Sequence, residues 1–438
     1  MADDDKKLKT GRFARLAKLA TMSAKLSTDV VAAGVKRLRG NEDESILGAG
    51  AAEKLVATLG DLKGLAMKIG QQVSMDPDLL TPEVRAVVAR LQNQAPPMPW
   101  SQVQEVISQQ LGKAPLEAYA TFDEKPLASA SLGQVHHATT RDGHDVAVKV
   151  QYPDIARALK ADLDNLGTMV SVVASSTRLV QGKAYFAELR ESMMDELDYR
   201  QEAERGRQFE VAAKRVPELV VPKSYDALTS EKVLTLELLK GPTLKEFMHD
   251  VTKYDNAERF RVSRLLLRAI WGPFMASGVI HGDPHPGNFI LLCDGRCGVL
   301  DFGAIKKLSP AWVGVNRTLF GAIVRNEPFD AIALSKECGF EFDDAEGSRE
   351  FVQGVLDIAT RPLRSTEFDF AEANIARDLR NFGLKNTLKL KGIKPPRESV
   401  QFYRAIGGMT QNLENIGARG PVKSVYEELL KLHEGRAP

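Results

Sequence analysis

No stretch of this 438-residue sequence is apolar enough to cross a membrane as a helix. A span needs about twenty consecutive apolar residues. The best candidate, Leu265 to Ile280, is interrupted by Arg268 and contains Gly272, Pro273 and Gly278. Cysteine is scarce: only Cys293, Cys297 and Cys338 occur, which excludes a disulfide framework. Cys293 and Cys297 have no second pair to complete a metal site, so all three read as reduced residues in a reducing compartment. Net charge is almost absent at +1, which by itself argues neither for nor against a nucleic-acid partner. Internal repeats and low-complexity runs are missing as well. The opening Met-Ala-Asp-Asp-Asp is too acidic for a secretory signal or transit peptide, and a cytoplasmic protein is expected. What is present, 43% hydrophobic and 27% charged residues, is the composition of a soluble globular chain with core for two or three domains.

The most informative stretch is His281-Gly-Asp-Pro-His-Pro-Gly-Asn-Phe-Ile290, followed by Gly298-Val-Leu-Asp-Phe-Gly303. Asp283 and Asn288 stand five residues apart, and Asp301 follows Asp283 by eighteen. Phosphoryl transfer asks a protein for a carboxylate that orients the attacking oxygen and for oxygen ligands that hold magnesium on the phosphates. Asp283 can be the carboxylate, and Asn288 with Asp301 can be the metal ligands, because Mg²⁺ takes a few hard oxygens plus phosphate. Ile290–Leu292 and Cys297–Leu300 read as two short strands around an Asp294-Gly295 turn. That hairpin carries Asn288 and Asp301 at its two ends, facing one site. Asp-Phe-Gly alone is a weak signal; the spaced pair of motifs matches the kinase set, with HGDPHPGN standing for HRDLxxxN.

Upstream, Leu127-Ala-Ser-Ala-Ser-Leu-Gly-Gln-Val135 precedes a strand pair around Arg141-Asp142-Gly143, whose second strand is Asp145-Val-Ala-Val-Lys149-Val. Set against the glycine-rich loop of kinases, Gly133 and Val135 keep their places, whereas Ala128 and Ala130 occupy the first two glycine positions. Ser131 lies in the same loop. Lys149 is placed to pair with the α and β phosphates. A long charged helix is expected from Phe186 to about Lys214. One of its acids should pair with Lys149, and Asp198 and Glu202, sharing a face at i and i+4, are both candidates. A further strand from Lys232 ends at Glu237-Leu238, where a linker backbone would meet adenine. Beyond Lys307 the chain reads as helical, with no Ala-Pro-Glu segment and no activation loop.

The N-terminal third is helical in pattern. Residues 6 to 39 hold ten Lys or Arg against one acid, Asp29, with Phe13, Leu16, Leu19, Leu26, Val30 and Val35 at roughly helical spacing. Such a helix suits an anionic membrane surface, and equally suits docking on the protein's own body. A second helix, about Leu47 to Met75, carries Lys68-Ile-Gly-Gln71. On spacing alone Lys68 and Gln71 are a surface pair.

Taken together, Lys68-x-Gly-Gln71, the alanine-rich loop, Val-Ala-Val-Lys149, Glu196-Leu-Asp198-Tyr with Glu202, His281-Gly-Asp283 with Asn288, and Asp301-Phe-Gly resemble the UbiB family of ABC1-domain atypical kinase-like proteins. The resemblance runs from about residue 10 to about 430 and includes the basic N-terminal segment of the coenzyme-Q-linked members. It implies an α+β, protein-kinase-like two-lobe fold with a helical N-terminal extension: residues 1–115 the extension, 116–240 a small lobe with a helical insertion, 241–438 a large lobe. It implies that Lys68 and Gln71 enter the active site near Glu196 and Asp198, and that Glu202 partners Lys149. ATP or ADP with Mg²⁺ is the implied cofactor, held by Ala128, Ala130, Ser131, Gly133, Val135, Lys149, Glu237 and Leu238, with Asn288 and Asp301 on the metal. ATPase activity in support of ubiquinone or isoprenoid-lipid biosynthesis is the implied function. The implied partners are adenine nucleotide, an isoprenoid lipid or quinone precursor, quinone-biosynthesis proteins and a peripheral membrane surface met by residues 6–39; no nucleic acid is expected. The competing readings are a small-molecule phosphotransferase, a nucleotide-regulated scaffold and a membrane-surface adaptor.

Overall fold

A computed structural model describes residues 97–432, except 131, 158, 162, 165–189, 192, 387–388 and 390–391. Lys68, Gln71, Ser131 and the basic segment 6–39 lie outside the described residues. The chain divides into two compact units: residues 1–199 with 227–235, and residues 200–226 with 236–438.

The described part of the first unit is a sheet with a helix packed on it. Helix α1 (Trp100–Leu111) and the single turn α2 (Pro115–Ala118) lead into β1 (Thr121–Phe122). Three strands follow, β2 (Ala128–Ala130), β3 (Gly133–Thr139) and β4 (Asp145–Gln151), and β6 (Val233–Glu237) joins later. The order is β1-β3-β4-β6, with β2 also paired to β3. Alternation sets the faces: Val146, Val148 and Val150 of β4 are buried and point one way, Lys149 the other. Gly143, at a positive φ of 83°, makes the β3–β4 turn that the Arg-Asp-Gly sequence announces. Beneath the sheet a polar chain is fully paired. Gln134 accepts the Met98 amide and donates to His136 Nε2, and His136 Nδ1 donates to the Asp123 carbonyl at 2.8 Å. Trp100, Phe122 and Tyr119 pack around it.

The second unit is mainly helical and is organised on α5 (Asn256–Ser277), whose last three turns are almost wholly buried. Asp255 caps its start by accepting the Glu258 amide, and Gly278 at φ 75° ends it. Trp271 meets Phe274, Phe320, Phe402 and Tyr426 edge-on, so three later helices close on one indole. These are α6 (Pro310–Arg325), α11 (Arg397–Ile416) and α12 (Val422–Lys431). Between α6 and α11 run α7 (Ala331–Glu337), α8 (Ala345–Ala359), α9 (Arg361–Arg364) and α10 (Ile375–Lys385). Short strand pairs interrupt this region, Glu341–Phe342 with Ile393–Lys394 and Phe368–Asp369 with Arg419–Gly420, where the sequence reads as continuous helix.

One sequence expectation is corrected. The long helix from Phe186 is broken: residues 196–198 are not helical, and α3 begins at Tyr199 and ends at Ala213. Tertiary bonds win over propensity here. Leu197 is buried, its carbonyl accepts Gln151 Nε2, and the Tyr199 amide donates to the Glu231 carbonyl. Glu196 and Asp198 therefore do not share a helical face with Glu202. Residues 200–226 pack in the second unit because β5 (Leu219–Val220) pairs in parallel with β9 (Cys297–Val299), and Phe209 packs against Phe302.

Candidate active site

In the second unit, the two motifs are held by strands and by one buried histidine. Strand β7 (Val279–His281) pairs antiparallel with β10 (Ile305–Lys307), placing His281 opposite Ile305. Gly282 comes next, and its amide donates to the Ala304 carbonyl at 3.1 Å. A Cβ there would lie 2.6 Å from that oxygen, so the approach of the two segments requires glycine. His281 is fully buried and bridges the motifs. Its Nε2 donates to the Leu300 carbonyl at 3.0 Å, and its Nδ1 accepts the Asp283 amide at 3.4 Å. The two bonds together need the ring proton on Nε2. Phe209, Phe289 and Phe302 surround the imidazole, with centroids 5.8 to 6.4 Å away.

The hairpin is present as the Asp294-Gly295 turn implies. Strand β8 (Phe289–Leu291) pairs with β9, Phe289 opposite Val299, and Gly295 takes a φ of 87°. The register brings the segment after Asn288 beside the segment before Asp301: the Leu300 amide donates to the Asn288 carbonyl at 2.8 Å. Asn288 Nδ2 donates to the Asp283 carbonyl at 3.2 Å, closing the loop on itself. Asp301 stands at a positive φ of 59°, and its Oδ1 accepts the Gly303 amide at 3.3 Å. Aspartate tolerates the left-handed region better than most residues because its carboxylate can make such local bonds.

Asp283 is buried, and its carboxylate faces a cation: Arg404 Nη2 of α11 lies 3.5 Å from Oδ1. The same helix reaches the loop two turns later, where Asn412 Nδ2 donates to the Pro284 carbonyl at 2.7 Å. Neither residue was visible from sequence spacing, since α11 lies more than a hundred residues downstream and carries no motif. Between Gly303 and α6 only residues 304–309 intervene, and β10 uses half of them, so the missing activation loop is a fact of the fold. Cys297 is buried in β9, which pushes its thiol up to about 12; Cys293 at the turn is exposed.

In the first unit, Lys149 lies on β4 between β3 and β6 and is therefore an interior-strand lysine, not an edge one. It stands opposite Val135, and its Nζ sits 4.9 Å from the centre of the Tyr199 ring. The alanine-rich segment is a tight hairpin: Ala128 pairs with Val135 and Ala130 with Gly133. Gly133 is fixed by packing, because a Cβ there would fall 2.1 Å from the Val150 carbonyl oxygen. Glu196 and Asp198 are half-buried in the non-helical turn. In the second unit, Glu202 is buried on α3, Glu237 ends β6, exposed, with its amide on the Lys223 carbonyl, and Leu238 follows it half-buried.

Among the described residues no group of three or more His, Cys, Asp or Glu side chains could hold a metal. Asn288 and Asp301 flank the open end of the β8–β9 hairpin, and a carboxamide oxygen with a carboxylate is a donor set of the kind that Mg²⁺ takes together with phosphate and water. No helix among the described residues is long and apolar enough to cross a membrane.

Comparison with known proteins agrees with this geometry. The family described as ABC1 atypical kinase-like domain matches residues 90–329. The chain is similar to the mitochondrial atypical kinase COQ8B of Danio rerio, 27% identical over 98% of this chain and 70% of that protein. It is similar to COQ8B of Rattus norvegicus, at 28% over 97% and 81%, and to COQ8 of Saccharomyces cerevisiae, at 26% over 96% and 85%. Among solved structures it resembles Rv3197 of Mycobacterium tuberculosis, in a complex with erythromycin, with a TM-score of 0.60 and 31% identity over 87% of this chain and 95% of that one.

Proposed function

The chain belongs to the ABC1 atypical kinase-like family, and from that premise we propose that it is a Mg²⁺-dependent ATPase that supports ubiquinone or isoprenoid-lipid biosynthesis. Nucleotide binding follows from the kinase-like fold. Asp283 orients the attacking oxygen, Asn288 and Asp301 hold Mg²⁺, and Lys149, with Glu202 as its partner, holds the phosphates. The metal supplies charge neutralisation at the transferring phosphoryl group when bound. Ala128, Ala130, Ser131, Gly133 and Val135 cover the nucleotide, and the backbone at Glu237 and Leu238 meets adenine. The family resemblance assigns Lys68 and Gln71 to the same site as Glu196 and Asp198, and residues 6–39 to an anionic membrane surface.

The observation that carries this reading is the bridge made by His281. It bonds the Asp283 amide and the Leu300 carbonyl just before Asp301, so that one buried side chain supports both segments, which favours a shared site for Asp283 and Asp301. Asp283→Asn tests it: ATP turnover should fall by roughly 10²- to 10⁴-fold while ADP still binds. Unchanged turnover would refute the role of Asp283. A labelled lipid or quinone precursor formed from labelled ATP would move the assignment to a phosphotransferase.

A further inference from the structure

The Asp-Phe-Gly turn is seated on helix α3 through three consecutive contacts, all within the second unit. Arg205 Nη1 donates to the Gly303 carbonyl at 2.9 Å. Gly206 lies so close under Phe302 that a Cβ there would be 2.9 Å from the ring. Phe209, one turn on from Arg205, packs against the same ring with centroids 5.9 Å apart. Two of these contacts are apolar and hold Phe302. Arg205 alone of the three holds backbone, at the carbonyl of Gly303.

Gly303 matters for Asp301. Its carboxylate is tied to the Gly303 amide, and its own backbone is in the left-handed region. Upstream the chain is anchored by Leu300, whose amide and carbonyl are both engaged, by Asn288 and His281. Downstream it is anchored by the Ala304 carbonyl on Gly282. Gly303 sits between these anchors with its amide on Asp301 Oδ1 and its carbonyl on Arg205, in the two peptide units that flank its Cα, so holding the carbonyl limits how far the residue can swing its amide away from Asp301. Arg205 is half-buried and is itself braced by Gln201, whose Oε1 accepts Nη2 at 3.3 Å.

We propose that Arg205 is a positioning residue for the Asp301 carboxylate: by holding the Gly303 carbonyl, it keeps the turn in the one arrangement that presents Asp301 to a divalent cation. This rests on the assignment of Asp301 as a metal ligand. It also gives α3 a second task, one turn beyond Glu202. Residues that orient a ligand from behind typically affect metal affinity by 10- to 100-fold when removed.

The experiment is a titration of Mg²⁺ into the full-length protein with ADP, read by calorimetry, with metal-free ADP binding measured alongside. Arg205→Gln should raise the Mg²⁺ concentration at half-effect about tenfold, leaving metal-free ADP binding where it was, and Arg205→Lys should recover part of the loss. A general loosening of the fold would weaken both bindings and would not respond to lysine. Should Arg205→Gln fail to fold, Arg205→Met, which keeps the aliphatic stem, reads the same quantity. Asp301→Asn is the control. If it weakens the Mg²⁺ response and Arg205→Gln does not, the role of Arg205 is overturned and the metal site stands. If Asp301→Asn has no effect either, the metal assignment fails and takes this proposal with it.

Discussion

Arg404 holds its guanidinium 3.5 Å from the Asp283 carboxylate, joining a helix of the C-terminal region to the residue proposed to orient the attacking oxygen. The pair is largely shielded, with side chains 22% and 12% exposed, so its orientation is not averaged out by water. Arg404→Ala should therefore cut kcat by about 10- to 100-fold with little change in the affinity for ADP, since a small misplacement of a reacting group costs about that much. Steady-state kinetics beside equilibrium nucleotide binding would check it. Loss of ADP binding in step with kcat would make Arg404 a structural residue instead.

The alanine-rich hairpin makes a different claim. Gly133 has no room for a side chain against the Val150 carbonyl. Gly133→Ala must push β3 and β4 apart next to Lys149, and overpacking of this kind costs roughly 1–3 kcal/mol. A lowered thermal midpoint together with weakened ADP binding is the expected result. A variant as stable as the parent would show that the strands can separate locally at no cost.

The buried cation Arg268 offers a test of the scaffold away from the chemistry. Its guanidinium, 2% exposed, lies 2.9 Å from both Glu218 and Glu428. The Glu218 carbonyl in turn accepts the Cys297 amide and so supports the hairpin strand β9. Arg268→Ala leaves two carboxylates facing a void. The expected loss is about 3–5 kcal/mol, measured by denaturant unfolding.

Two adjacent histidines in β3 should oppose each other in pH dependence. Burial is the main influence on His136 and holds its pKa below the ordinary value despite the bond to Asp123. At His137 burial works in the same direction, but hydrogen bonds to Asp123 and Asp145 outweigh it and raise the pKa. As pH falls through about 6.5 the unfolded chain protonates a histidine that the folded state keeps neutral at position 136, so stability is lost. His137 binds its proton more tightly when folded, so its contribution is present at low pH and disappears as pH rises through the folded value. Removing it by His137→Gln should make the loss of stability between about pH 7 and pH 5.5 steeper than in the parent. Urea midpoints across that range would show it; parallel slopes would contradict the assignment.

The local parts of this molecule were legible in the sequence. The Asp294-Gly295 turn, the strand pair around Gly143 and the hairpin between Asn288 and Asp301 all follow from turn chemistry and alternation, which act over a few residues. The kinase-like fold followed from motif order. What could not be read is whatever depends on distant partners. The break at residues 196–198 arises from bonds to Gln151 and Glu231, which helical periodicity does not encode. Arg404, Asn412 and Arg205 act through contacts fixed only when the helices pack. Gly133 opens strand β3, and the reason it must be glycine is a carbonyl on the neighbouring strand.

Residues 304–309 carry the chain from the Asp-Phe-Gly turn directly into α6, and Ile305–Lys307 are already committed to pairing with β7. In kinases governed by phosphorylation, the length between these points is what a modifying enzyme grips and rearranges. Here there is no slack to grip. A phosphate-driven rearrangement of the kind that orders an activation loop has no free segment to act on between Gly303 and Pro310.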